Sequence, residues 1–389
     1  MLLKIIILLL ALLLLPDAYI FPVYVRRWTK KWWVRMLYFL PALLLVCFMG
    51  AIMLANDMRP SVQPFVGIFM VSFLVVCVPK TLFALIDGFG RLFLVRGVRR
   101  VFRIIGMCLA FFSAIVLCYG YFFGRNHFVA NEQTIYFADL PEAFDGYRIA
   151  QISDMHVGTF RNGHESDVAA IVDFVNAQKC DAILFTGDLV NHHPSELYGL
   201  EGELSRLSAP DGVYSVMGNH DYSMYMHYPS EDLRNADVEE LKRCQRSFGW
   251  ELLLDENRVL RRGTDSIAIV GVENCGRPPF PKLGDLAKAT AGLGDGCFKI
   301  LLSHDPTHWQ SEVVPQTDIQ LTLSGHTHAG QFSVFGWSPV KHVYDEWSGV
   351  YCNDEGQVLN ISNGIGAVMF PFRFGAWPEV NVITLKRKE

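Results

Sequence analysis

Ile319-Gln320-Leu321-Thr322-Leu323-Ser324-Gly325-His326-Thr327-His328 joins an apolar run to a pair of histidines. Its first half alternates apolar and polar residues, which predicts a buried β-strand, and its end carries two histidines two positions apart. In an extended segment such a His-x-His pair directs both imidazoles to one side, and Gly325 permits a close approach of the backbone. Taken alone, the pair also fits two surface histidines, so its meaning depends on the rest of the chain.

Four further polar segments follow apolar runs in the same manner. They are Asp154-Met155-His156, Gly187-Asp188, Gly218-Asn219-His220-Asp221 and Ser303-His304-Asp305. Singly, each has an ordinary explanation, because an aspartate can cap a helix and an asparagine can form a turn. Together they place imidazole, carboxylate and amide ligands, without thiolates, at the ends of predicted strands, where α/β sheets carry their active sites. The pattern predicts a catalytic site for divalent metal ions.

The C-terminal two thirds of the chain alternate short apolar runs with polar, glycine-containing turns. Strands are predicted at 147–153, 182–186, 213–217, 267–272, 299–302, 319–323, 358–361 and 381–385. Apolar residues at helical spacing predict helices at 165–178 and 232–248. This order predicts a two-sheet α/β sandwich flanked by helices. Residues 222–230 directly follow one of the polar segments and are predicted to form a loop over the site.

The N-terminal third has a different composition. The chain of 389 residues is 51% hydrophobic, and the excess lies in the first 124 residues. Four apolar stretches, at 2–25, 33–55, 62–86 and 101–124, each approach the ~20 residues that a membrane helix needs. The first resembles a secretory signal, but it has no convincing cleavage site and three more spans follow it, so we expect it to be retained. The sequence predicts a membrane domain at 1–125 and a second domain at 126–389.

The loops between the spans differ in charge. Basic residues follow the first span at Arg26, Arg27, Lys30, Lys31 and Arg35, and follow the third at Arg91, Arg96, Arg99, Arg100 and Arg103. By the positive-inside rule both loops are cytoplasmic, which places the second domain outside the cytoplasm. Lys4 and Arg125 lie on the wrong side of this assignment, and one miscounted span would invert it.

Composition also excludes some functions. The net charge of −5 and the lack of a basic, aromatic patch in the second domain argue against a nucleic-acid-binding protein. The nine cysteines include no CxxC pair in the second domain, which favours buried thiols over a thiolate metal site.

The order D-x-H, G-D, G-N-H-D, H and G-H-x-H resembles the calcineurin-like metallophosphoesterases, a superfamily of two-metal hydrolases, over most of residues 145–389. A narrower likeness is to the bacterial membrane-attached branch, which combines N-terminal membrane segments with GHTHxGQ and a late glycine and arginine stretch. In this sequence these are residues 325–331, then Gly364-Ile365-Gly366 and Arg373.

The resemblance implies a site with two divalent metal ions, Mn²⁺, Fe²⁺ or Zn²⁺. It assigns one ion to Asp154, His156, Asp188 and His328, and the other to Asp188, Asn219, His304 and His326, so that Asp188 bridges. It implies that His220 is the general acid near the leaving oxygen, with Asp221 orienting its ring. Asn191 and Arg373 are candidate substrate contacts. Two positions depart from the family pattern, because relatives often carry a carboxylate at Asn191 and a glycine at Ala329.

The resulting hypothesis is a metal-dependent phosphoesterase anchored in a bacterial cytoplasmic membrane. It would hydrolyse a phosphoester or pyrophosphate bond in a small-molecule or lipid-linked substrate, such as UDP-2,3-diacylglucosamine. The alternative is a membrane sensor or scaffold that binds phosphorylated ligands without turnover. A transport path through the spans is less favoured, because they carry few internal charges beyond Lys80 and Asp87.

Overall fold

The computed structural model describes residues 2–55, 62–161, 163–294 and 296–388. The chain divides into two compact units, one built from apolar helices and one from two β-sheets with helices. We call the first, which comprises residues 2–55, 62–124 and 369–372, the membrane unit. We call the second, which comprises the described residues of 125–368 and 373–388, the catalytic unit.

The membrane unit contains four long helices. Its helices are α1 (Leu2–Ile20), which continues through a π-turn (Phe21–Val25) into α2 (Arg26–Trp28), then α3 (Trp32–Ala55), α4 (Gln63–Gly90) and α5 (Arg96–Phe122). Four segments, Lys4–Trp28, Trp32–Leu54, Gln63–Gly90 and Arg96–Asn126, are long and apolar enough to cross a membrane. The four predicted membrane helices are therefore confirmed. The third runs beyond the predicted end at residue 86 because Asp87 lies inside the helix instead of terminating it.

Two buried aspartates in the membrane unit have partners of opposite charge. Asp17 is 2% exposed and lies 2.9 Å from Lys80 Nζ. Asp87 is 1% exposed and pairs with Arg91 at 3.0 Å and Arg103 at 3.3 Å. Tyrosine hydroxyls donate to both carboxylates, for example Tyr38 to Asp17 at 2.5 Å. These pairs offset much of the cost of burying charge among apolar helices.

Within the described residues, the catalytic unit is built on twelve strands. They are β1 (Val129–Phe137), β2 (Arg148–Ile152), β3 (Ala182–Phe185), β4 (Val213–Ser215), β5 (Glu251–Leu252), β6 (Glu256–Arg262), β7 (Asp265–Gly271), β8 (Phe298–Leu302), β9 (Leu321–Ser324), β10 (Gly349–Cys352), β11 (Val358–Ile361) and β12 (Glu379–Arg387). One sheet has the order β1-β12-β2-β3-β4-β5 and the other β10-β11-β9-β8-β7-β6. Strands β2 to β5 are parallel, as are β7, β8, β9 and β11.

The two sheets pack face to face. Their inner faces share one apolar core, to which Ile149, Leu184, Ile300 and Leu323 contribute. Successive residues of a strand point to opposite faces, so Ile183 and Phe185 lie in a second core beneath the helices. The helices of this unit are α6 (Glu165–Asn176), α7 (Glu201–Leu204), α8 (Glu231–Ser247), α9 (Leu286–Ala289) and α10 (Val314–Gln316). The predicted two-sheet α/β sandwich with flanking helices is confirmed.

Candidate metal centre

Each of the five polar segments begins at the carboxyl end of a parallel strand. Asp154 follows β2, Asp188 follows β3 and Asn219 follows β4 in the first sheet, while His304 follows β8 and His326 follows β9 in the second. Because the carboxyl ends of parallel strands meet at one edge of a sheet, and the two sheets are stacked, the segments converge.

Asp154, His156 and His328 form the first group of converging side chains. His328 Nε2 lies 3.2 Å from Asp154 Oδ1 and 3.2 Å from His156 Nε2. None of the three is more than 4% exposed. Carboxylate and imidazole donors therefore point at a common, water-shielded position.

Asp188, Asn219, His304 and His326 form the second group. Asn219 Oδ1 lies 2.7 Å from His326 Nδ1 and 3.2 Å from His304 Nε2. Asp188 Oδ2 lies 3.1 Å from His304 Nε2 and 3.6 Å from His156 Nε2, so one carboxylate oxygen faces both groups.

Hydrogen bonds on the outer sides of the rings orient three of the histidines. His156 Nδ1 lies 3.1 Å from the Val190 carbonyl, and His304 Nδ1 lies 2.8 Å from the Thr186 carbonyl. A carbonyl only accepts, so each Nδ1 carries the hydrogen, and in the neutral ring the inward Nε2 keeps its lone pair. His328 is the exception, because its Nδ1 lies 3.0 Å from Arg373 Nη2, which only donates. In the neutral ring its hydrogen therefore lies on Nε2, 3.2 Å from Asp154 Oδ1, and metal binding at Nε2 requires that this hydrogen leave.

The backbone of the site is strained. Asp154, His156, Asp188, His326 and His328 all have positive φ, between 42° and 72°. Non-glycine residues in this region cost of the order of 1–3 kcal/mol each and cluster at functional sites. Five of the seven predicted ligands have such a backbone conformation. The arrangement of these side chains therefore carries a conformational free-energy cost that the rest of the fold must offset.

Two glycines allow the carboxylates to lie close to neighbouring backbone. A Cβ at Gly325 would collide with the Asp154 carboxylate, and one at Gly218 would collide with the Asp188 carboxylate. A larger residue at either position would displace a predicted ligand.

Electrostatics favour ionised carboxylates. Burial opposes ionisation of Asp154 and Asp188, but the surrounding histidines outweigh it and hold the pKa of both carboxyls below the usual range. Burial lowers the pKa of His326 to about 4 and also lowers that of His156. Burial would lower the pKa of His304 as well, but Asp188 overcomes this and raises it to about 10. Buried carboxylates facing inward imidazoles and an amide oxygen form a donor set that fits two divalent cations.

His220 lies beside the two groups with its ring held from behind. Its Nδ1 lies 2.6 Å from the Asn191 carbonyl, so it donates there and leaves Nε2 free. One of its ring nitrogens lies within 4.8 Å of ligand atoms of His156 and Asp188. The ring is part-buried and positioned to exchange a proton with a bound ligand.

Asp221 does not orient the His220 ring as predicted. Its carboxylate oxygens accept backbone N–H bonds from Asp188, Leu189, Val190 and Gly218, at 2.9 to 3.2 Å. Asp221 is therefore a buried anchor for the loop that carries Asp188, and the Asn191 carbonyl holds the ring instead. The sequence could not reveal this, because three of the four N–H groups lie 31 to 33 residues away along the chain.

The two candidate substrate contacts are buried. Asn191 is 2% exposed, and its backbone, not its side chain, contacts His220. Arg373 is 0% exposed and donates to the carbonyls of His328, Asn363, Gly366 and Ala376. In this arrangement its guanidinium organises the loop around His328 and is not available to clamp a phosphate.

Two tyrosines at the site carry no signal in the motif pattern. Tyr344 lies with its hydroxyl 2.8 Å from His326 Nε2, and Tyr225 lies with its hydroxyl 2.7 Å from Asn219 Nδ2. Tyr225 belongs to the loop that was predicted to cover the site, so the position of that loop was the only available hint.

Comparisons with known proteins cover both units. A sequence family described as "Calcineurin-like phosphoesterase" matches residues 147–330, and one described as "Probable Calcineurin-like phosphoesterase, transmembrane domain" matches residues 3–125. The uncharacterized metallophosphoesterase YkuE of Bacillus subtilis is 30% identical over 268 residues, which cover 66% of this chain and 84% of that protein. A "Transmembrane protein with metallophosphoesterase domain" of Danio rerio is 30% identical over 255 residues, covering 64% of this chain and 55% of the relative.

Among solved structures, NAD nucleotidase of Haemophilus influenzae matches with a TM-score of 0.38 and 15% sequence identity. The match covers 56% of this chain and 45% of that chain.

Proposed function

Because this chain belongs to the calcineurin-like metallophosphoesterases, we propose that it is a membrane-anchored enzyme that hydrolyses a phosphoester or pyrophosphate bond with two divalent metal ions. The observation that carries the proposal is the convergence of seven donor side chains, six of them from buried residues, in two groups that share the Asp188 carboxylate.

We assign Asp154, His156, Asp188 and His328 to one ion, and Asp188, Asn219, His304 and His326 to the other. The position of Asp188 Oδ2, 3.1 Å from His304 and 3.6 Å from His156, supports its role as the bridge. When bound, such a pair of divalent ions lowers the pKa of water and withdraws charge from the phosphoryl group. Mn²⁺, Fe²⁺ and Zn²⁺ are the ions to be tested at this site.

His220 is the proposed general acid. Its Nδ1 hydrogen is committed to the Asn191 carbonyl, so a second proton, when present, sits on the free Nε2. From there it can pass to the leaving oxygen, a role that typically contributes ~10²–10⁴-fold to a rate. Asp221 supports this chemistry only indirectly, by anchoring the Asp188 loop.

The substrate class and the side of the membrane are finer proposals. The catalytic unit follows the last membrane helix directly in sequence, which supports a substrate at or near a bilayer. The basic loops after the first and third spans support an extracytoplasmic catalytic unit in a bacterial cytoplasmic membrane. C-terminal fusions to a reporter active only outside the cytoplasm and to one active only inside test this orientation.

A substrate panel tests the activity itself. The full chain in detergent, loaded with each metal, is incubated with p-nitrophenyl phosphate, bis-p-nitrophenyl phosphate, a nucleotide-sugar pyrophosphate such as UDP-2,3-diacylglucosamine, and a lipid-linked diphosphate. We expect metal-dependent hydrolysis of at least one substrate class, abolished by a chelator and restored by added metal. Binding without turnover across the whole panel would contradict the proposal and favour the sensor alternative.

A further inference from the structure

Tyr225 presents an uncommitted hydroxyl hydrogen next to the metal centre. Its oxygen accepts a hydrogen bond from Asn219 Nδ2 at 2.7 Å, so the phenolic hydrogen must point elsewhere. In the part of the chain that the structure describes, no group accepts that hydrogen. Tyr225 is 39% exposed, so this donor faces a space that a ligand can enter.

The location of this donor is set by two contacts. The Asn219 amide holds the Tyr225 hydroxyl at one end and turns its Oδ1 toward His326 and His304 at the other. The phenol oxygen is therefore one amide group away from the point on which the second group of donors converges. The Tyr225 ring also lies against the proposed general acid, with its centroid 4.4 Å from that of His220.

We propose that Tyr225 is a catalytic residue of the proposed phosphoesterase, which donates its hydroxyl hydrogen to a non-bridging oxygen of the phosphoryl group. The proposal rests on the proposed function for the identity of the ligand. The Tyr225 ring lies against His220 and its hydroxyl beside Asn219, so a phosphoryl group held between the metal ligands and His220 can direct a non-bridging oxygen toward this hydroxyl. A donor already aimed at that oxygen stabilises the charge that accumulates on it in the transition state.

Tyr225→Phe tests the proposal, because it removes the hydroxyl and keeps the ring against His220. Tyr228→Phe is the matched control, since Tyr228 lies in the same loop but donates to Asp237 at 2.7 Å. The first measurement is calorimetric binding of inorganic phosphate to the full chain in detergent at saturating Mn²⁺. A hydrogen bond to a charged group predicts a loss of phosphate affinity of about 10- to 100-fold in Tyr225→Phe and none in the control.

The second measurement is turnover of the diester or monoester that the wild type cleaves. We expect kcat/KM of Tyr225→Phe to fall more than kcat, because the contact already binds the phosphoryl group in the ground state and strengthens in the transition state. Mn²⁺ affinity is measured in parallel, because Tyr225 also holds the Asn219 amide. Weakened Mn²⁺ binding with unchanged phosphate affinity at saturating metal would show that Tyr225 only orients Asn219, and would overturn the proposal.

The phosphate measurement separates this proposal from the proposed function. If the wild type binds phosphate but cleaves nothing, the hydrolase assignment fails, while a weaker phosphate affinity of Tyr225→Phe still supports the contact. Equal phosphate affinity of wild type and Tyr225→Phe at saturating Mn²⁺ overturns the Tyr225 proposal whatever the activity.

Discussion

The membrane unit and the catalytic unit both bury aspartates, but they compensate the negative charge in different ways. Asp17 and Asp87 are matched by side chains that are permanently or almost always positive, namely Lys80, Arg91 and Arg103. In the described part of the chain, every ion-pair partner of Asp154 and Asp188 is a histidine.

This difference distinguishes carboxylates that stabilise the fold from carboxylates that can bind metal ions. A carboxylate paired with lysine or arginine is balanced within the chain, and its role is to hold helices together. A carboxylate facing imidazoles has partners that are ligands as readily as cations, so it can be balanced by an ion from solution. Aspartate thus forms ion pairs between helices in the membrane unit and is a proposed metal ligand in the catalytic unit.

Asp188→Ala should have the largest effect, because it tests the role of this buried carboxylate as a metal ligand. Losing the shared carboxylate should abolish binding of at least one ion and lower kcat/KM by about 1,000-fold or more, because the metals supply several kcal/mol of transition-state stabilisation. Mn²⁺ affinity and hydrolysis by the full chain measure both effects. Asp173→Ala removes an exposed carboxylate paired with Arg206 and serves as the control. Wild-type turnover by Asp188→Ala would contradict the assignment.

His220→Ala separates the contribution of proton transfer from that of metal binding. We expect Mn²⁺ affinity to stay near that of the wild type, while the rate falls by ~10²–10⁴-fold. The loss should be larger for an alkyl ester than for a p-nitrophenyl ester, because a poor leaving group depends more on protonation. The exposed neighbour His227→Ala is the control. An equal loss for both leaving groups would argue against a general acid.

Lys80→Met tests whether the ion pair of Asp17 and Lys80 stabilises the membrane unit. It leaves the Asp17 carboxylate buried without its cation, which typically costs ~3–5 kcal/mol. The full chain in detergent should therefore unfold at a lower temperature, while each folded molecule keeps its rate of hydrolysis. Combining Lys80→Met with Asp17→Leu should restore much of the lost stability, and Lys30→Met in the connecting loop should have little effect. A loss of turnover without a loss of stability would show that this pair has a role beyond holding helices.

Glu196 is expected to give the smallest effect, since its carboxylate is balanced by backbone N–H groups alone. It is 1% exposed and accepts hydrogen bonds from the backbone of Asn191, His192 and His193. Burial raises the pKa of Glu196 to about 7, above the ordinary value of 4.5, despite these bonds. Its folded form thus keeps a proton that the unfolded chain has lost.

The sign of the pH dependence follows directly. The stability contributed by protonated Glu196 is complete below about pH 4.5 and is lost as the pH rises to about 7. The unfolding temperature of the wild type should therefore fall relative to that of Glu196→Gln over this range. Glu203→Gln, at a partly exposed position, is the control. Parallel curves for wild type and Glu196→Gln would show that the pKa of Glu196 is not raised.

Prediction from the sequence succeeded where local pattern and burial agree. The eight predicted strands correspond to β2, β3, β4, β7, β8, β9, β11 and β12, with ends that differ by at most two residues. The missed strands β1, β5, β6 and β10 are the four sheet-edge strands. Strands β1 and β6 expose polar side chains, and β5 and β10 are only two and four residues long. For example, Asn131 in β1 is held by the side chain of Asn381 in the next strand, a contact with no local sequence signal.

The sequence alone determined the presence of four membrane helices, the two-sheet catalytic unit and the residues predicted to bind metal. These features depend on apolar periodicity and on motifs of adjacent residues, both of which are visible in the amino-acid sequence. The roles of individual side chains around the site came from the folded chain: the Asp221 carboxylate accepts backbone N–H bonds, Arg373 lies among carbonyls, and Tyr225 lies beside Asn219. A hydrogen bond depends on which donor and acceptor the fold brings within about 3 Å, and no local sequence motif shows this.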